Sequence, residues 1–129
     1  MDERERRLWL SETLGSVSWF FMDASWMFGY SVLTAGLVVP TVIFNLAILL
    51  YVERTREAFL MSAAVGAWVL MNSLWAMGDL YAIPVLIVMA KKFFFTGLVL
   101  LLVALLGPNK KVWYAILKGF HRFRIRINP

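Results

Sequence analysis

Two long stretches, residues 13–52 and 58–106, hold almost no charge, and this constrains the chain more than any motif does. Within them the only carboxylates and amines are Asp23, Asp79, Lys91 and Lys92. Each stretch has room for two helices of about 20 residues, the length that crosses a bilayer. With 61% hydrophobic residues and a mean hydropathy of +0.74, the chain is too apolar to hide its side chains in a water-soluble core. The pattern predicts an all-α, four-transmembrane-helix bundle with spans at 13–30, 33–52, 58–82 and 84–106. These spans form one transmembrane domain, 13–106, between a charged N-terminus, 1–12, and a basic tail, 107–129.

Charge placement predicts an orientation. Arg4, Arg6 and Arg7 precede the first span, Arg54 and Arg56 sit between the second and third, and six of the thirteen Lys and Arg follow the fourth. The positive-inside rule makes these regions cytoplasmic, with both termini inside, as in a multi-pass protein of a cell's inner membrane. The net charge of +5 reflects this asymmetry, so nucleic-acid binding is not expected.

The absence of cysteine excludes disulfides, thiolate metal sites and thiol catalysis. A single histidine, His121, lies beyond the spans and cannot provide paired haem ligands or an ordinary metal cluster. No phosphate-binding loop, GxSxG or HExxH occurs. In a four-span topology Asp23 and Asp79 are expected about half a membrane apart, too far to work as an acid–base pair. Neither a cofactor nor catalysis is called for.

At an offset of 49 residues, Trp19, Met22, Asp23, Trp26 and Gly29 align with Trp68, Met71, Asn72, Trp75 and Gly78. This suggests two related two-helix units in parallel orientation. Trp19, Asp23, Trp26 and Tyr30 fall on one helical stripe, and Trp68, Asn72, Trp75 and Asp79 on its counterpart. A carboxylate facing lipid near mid-membrane costs at least about 2.5–3.5 kcal/mol, so both stripes are expected to face protein. The expected site is a midplane polar layer of Asp23, Asn45, Asn72 and Lys91 or Lys92, walled by Trp19, Trp26, Trp68 and Trp75. In it Asp23 pairs across the bundle with one of the lysines; the alternatives are a carboxylate that exchanges a proton or binds a cation and a structural polar clamp that holds the helices in register. Four short helices with a carboxylate in the first and tryptophans around it are similar in architecture to small multidrug-resistance transporters. The two intramembrane lysines depart from that pattern, and no residue role is carried over.

The tail, "KKVWYAILKGFHRFRIRINP", reads as a basic amphipathic segment that rests on anionic lipid at the cytoplasmic face. The functional expectation is a transporter or channel for a small polar or charged solute, working as a homo-oligomer. The alternative is a non-catalytic subunit or scaffold that docks on a larger membrane complex through its helices or its tail.

Overall fold

A computed structural model describes residues 1–106, so expectations about the tail and His121 fall outside the described residues. The described chain is four helices: α1 (Glu3–Met27), α2 (Ser31–Tyr51), α3 (Arg56–Leu80) and α4 (Pro84–Leu105). Three of them, α2, α3 and α4, are long and apolar enough to cross a membrane. α1 is more polar. It begins ten residues before the expected span, because Asp2 caps it through the Glu5 N–H while the Glu5 carboxylate accepts from the Asp2 N–H. This reciprocal cap lets the charged run "ERERR" enter the helix.

α1 packs along α2 and α3 along α4, the two most extensive contacts, and α2 joins the pairs by packing on α3. α1 touches α3 only lightly, and among the described residues α4 has no substantial neighbour but α3. The buried residues are mostly small: Ser11, Gly15 and Ser25 on α1, Thr34 and Thr41 on α2, Ala64, Gly66, Ala67, Ser73, Ala76 and Gly78 on α3, and Ala90 on α4. Lipid offers no hydrophobic push toward helix association, so close backbone approach and interhelical hydrogen bonds must hold such pairs. Ser25 and Thr34 share a hydroxyl–hydroxyl bond of 2.9 Å between α1 and α2. Beside Gly15, a Cβ would lie 3.0 Å from Asn45 Nδ2. α2 continues through Pro40 without a turn.

One end of the molecule, the basic end, gathers Arg4, Arg6, Arg7, Arg54 and Arg56 around the start of α1 and the α2–α3 loop. Arg4 donates to the carbonyls of Tyr51 and Val52, which α2 leaves unpaired at its C-terminus. Arg7, hydrogen-bonded to Glu3, and Arg6 beside it hold the exposed Glu3 carboxyl below its ordinary range.

The opposite, hairpin end holds two tight turns of one design. Tyr30 N–H bonds Ser25 C=O and Gly29 N–H bonds Trp26 C=O, while Ile83 N–H bonds Gly78 C=O and Ala82 N–H bonds Asp79 C=O. Each turn places one residue at positive φ, Gly29 at 75° and Ala82 at 53°, the left-handed cap that closes a helix. These equivalent turn positions are 53 residues apart, not 49. Gly78, aligned with Gly29 by the sequence offset, therefore sits one turn inside α3. Tyr30 caps α2 and is not part of α1, so the first aromatic stripe ends at Trp26.

Candidate functional site

α3 is buried on two sides and open on a third. Its open stripe is Met61, Val65, Trp68, Asn72, Trp75 and Asp79, in steps of four and three that return to one side of a helix. All are exposed except Asn72, which is half-buried. At the hairpin end α1 meets one edge of this floor, where Trp26 Nε1 donates to Asp79 Oδ2 at 2.9 Å and Ser73 Oγ approaches Met22 Sδ at 3.7 Å. α4 stands along the other edge, and Phe94, Leu98 and Leu101 share with Met61, Val65 and Trp68 an apolar groove of about 240 Å³. The three helices thus form an open trough with α3 as its base.

Each wall has its own stripe at the same spacing. On α1 it is Glu12, Ser16, Trp19, Asp23 and Trp26; on α4 it is Ile87, Lys91, Phe94 and Leu98. Asp23 is half-buried, and its Oδ1 is enclosed without a hydrogen-bond partner among the described residues. Trp19 Nε1, one turn away on the same wall, is an enclosed donor directed at that same carboxylate without completing a full hydrogen bond. Donor and acceptor compensate each other in part, and the portion of the half-buried carboxylate that stays accessible is left for a further partner. Lys91 is exposed on the opposite wall.

The expected single polar layer is not what the structure builds. Counted at about 1.5 Å per residue from the hairpin end, Asp23 lies about 6 Å deep, Lys91, Lys92 and Asn72 about 10–12 Å, and Asn45 about 21 Å. Asn45 belongs to a different contact: it is buried between α1 and α2, beside Gly15, with Nδ2 donating to Thr41 C=O at 2.8 Å. Among the described residues the ion pairs are Glu3–Arg6 and Glu3–Arg7, and no lysine meets Asp23. The reason is lateral: α1 and α4 sit on different edges of α3 and share no substantial packing. Lys92, one residue further round α4, points away from the Lys91 side, and it too is exposed. Trp68 and Trp75 are 45% and 37% exposed and do not wall a closed interior.

Asp23 and Asp79 are closer in depth than half a membrane. Both lie toward the hairpin end, and Trp26, less than one turn from Asp23, holds Asp79. The structure also brings in residues outside the expected site: Glu12 and Ser16 continue the α1 stripe, and Ser73 meets Met22, which the sequence marks only as a repeat position. The signal for Glu12 and Ser16 is the four-and-three spacing, which continues beyond the tryptophans; none points to Ser73. Among the described residues no cluster of His, Cys, Asp or Glu could hold a metal ion.

No protein family matches this chain, and no curated protein or solved structure matches it significantly. The trough itself therefore carries the functional reading.

Proposed function

We propose that this chain is an integral membrane protein that binds, and passes, a small polar solute with a cationic group along the trough. Asp23 is the anchor, with Trp19 as the neighbouring donor, Asn72 and Trp75 on the floor, and Trp26 held in place by Asp79. The supporting observation is the half-buried Asp23 carboxylate, braced by Trp19 and met by no cationic side chain among the described residues. A solute cation meets the part of this carboxylate that remains accessible. The tryptophan faces add cation–π attraction.

In this reading α1 is the fourth crossing, since it runs beside α2 from the basic end to the hairpin end. Arg4, Arg6, Arg7, Arg54 and Arg56 place the basic end, and with it both termini, on the cytoplasmic side of an inner membrane. The shared turn design supports reading the halves as two copies of one helical hairpin. The basic tail rests on anionic lipid at that face. A second reading, a subunit docked on a larger membrane complex, is favoured by one feature: among the described residues α4 packs substantially on α3 alone, which leaves its opposite face available.

Uptake into proteoliposomes of a panel of small organic cations tests the proposal. Asp23→Asn is expected to lower uptake at least about tenfold, the effect of removing a charged hydrogen-bond partner worth roughly 1.5–3 kcal/mol. Trp19→Phe, which keeps the ring and loses the N–H, is expected to lower it less. Uptake unchanged by Asp23→Asn removes the solute-site reading.

A further inference from the structure

We propose that the trough is also the interface of a parallel homodimer, in which α4 of each copy lies in the trough of the other and Lys91 of each copy pairs with Asp23 of the other. The observations that carry this are charge and depth. Among the described residues Asp23 is a half-buried carboxylate that meets no cation, and Lys91 is exposed in an apolar helix without an acidic partner. Within one copy α1 and α4 stand on opposite edges of α3, so the two charges cannot meet there. They can meet between copies.

All copies carry the same basic end and insert in the same direction. A two-fold axis along the membrane normal then keeps every residue at its own depth and makes the contact reciprocal. Asp23 and Lys91 differ in depth by about 5 Å on a helical rise of 1.5 Å per residue, a gap that a lysine stem spans. The surrounding surface suits a helix as occupant. Three stripes at four-and-three spacing are the seam that a further helix packs into, and Asn72, at the middle of the floor, supplies the kind of polar contact that fixes register between membrane helices. Lys92 faces away from this seam and reaches toward the headgroups instead.

This assignment deepens the Asp23 site but does not rest on solute passage, because dimerisation is read without solute. If both hold, the cationic group of the solute displaces Lys91 of the second copy.

The test is dimer dissociation on dilution into lipid vesicles, followed by single-molecule photobleaching of the labelled full-length chain. The wild-type chain is expected to dimerise. Asp23→Asn and Lys91→Met are each expected to weaken the dimer about tenfold, because the symmetry makes either substitution remove both copies of the polar interaction. Lys92→Met is expected to leave it unchanged. Charge reversal separates pairing between copies from pairing within one: Asp23→Lys alone and Lys91→Glu alone are monomeric, whereas the two chains co-expressed form heterodimers, because each contact then joins opposite charges. Should the reversed chains fail to accumulate, the neutral variants decide. A monomeric wild type, neutral variants that dimerise as the wild type does, or reversed chains that accumulate without forming heterodimers each overturn the proposal.

Discussion

Leucine in place of Gly97 is expected to pry α4 from α3 and to destabilise the bundle by about 3 kcal/mol, the upper part of the usual range for overpacking. A Cβ at Gly97 already lies 3.3 Å from Ala67 Cβ and 3.4 Å from the Ala64 carbonyl, and neither of these can rotate away. The Cβ itself meets α3, whatever room the adjacent groove leaves for the outer atoms of the leucine. Among the described residues α3 is the only substantial partner of α4, so no other contact within them holds the displaced helix. Gly36→Leu is the matched control: no atom lies within 4 Å of a Cβ there, so the same substitution is expected to change stability by less than about 0.5 kcal/mol. Equilibrium unfolding in bicelles by steric trapping reads both. Equal effects at the two glycines would show that α4 does not pack as described.

The second large effect is expected at Gly15 and shows as a change of sign. In the wild-type chain Gly15→Ala places a methyl group 3.0 Å from Asn45 Nδ2 and 3.4 Å from Phe44 Cβ. Asn45 is tied to Thr41 C=O at 2.8 Å and is buried, so it resists moving. A loss of about 1–2 kcal/mol is expected from this crowding. In an Asn45→Ala background the space is open, and the helix propensity of alanine over glycine makes the same change favourable by about 0.5–1 kcal/mol. A double-mutant cycle therefore gives a coupling above about 1.5 kcal/mol. Additive behaviour would contradict the Gly15–Asn45 contact between α1 and α2.

These two glycines show where the sequence is legible and where it is not. The uncharged stretches 13–52 and 58–106 announce long helices because lipid tolerates little else, and the boundaries of α2, α3 and α4 fall within two residues of the expected ones. α1 starts earlier than its apolar run because a capping box can carry a charged run into a helix. It ends short of Tyr30 because the left-handed Gly29 closes the helix before that residue. Which charges meet is not legible. Helical spacing assigns Asp23 and Lys91 to faces of their own helices, but it says nothing of which edge of α3 each helix takes. Polarity alone groups Asn45 with Asp23, although its depth, about 21 Å from the hairpin end at 1.5 Å per residue, sets it apart. The trough is partly legible, since Trp19, Asp23, Trp26, Trp68, Asn72 and Trp75 all lie along it. Its openness depends on the light contact between α1 and α3, which spacing cannot reveal.

The most direct measurement is the collision rate of molecular oxygen, which concentrates in lipid, with nitroxide labels on α1 in vesicles. The chain has no cysteine, so single labels at positions 19 to 26 need no background substitution. High rates are expected at Phe20 and Phe21, which are 71% and 56% exposed, and low rates at Trp19, Asp23 and Trp26, which are half-buried on the trough side of α1. A label at position 23 that meets oxygen as often as one at position 21 would place the carboxylate against acyl chains and contradict the account.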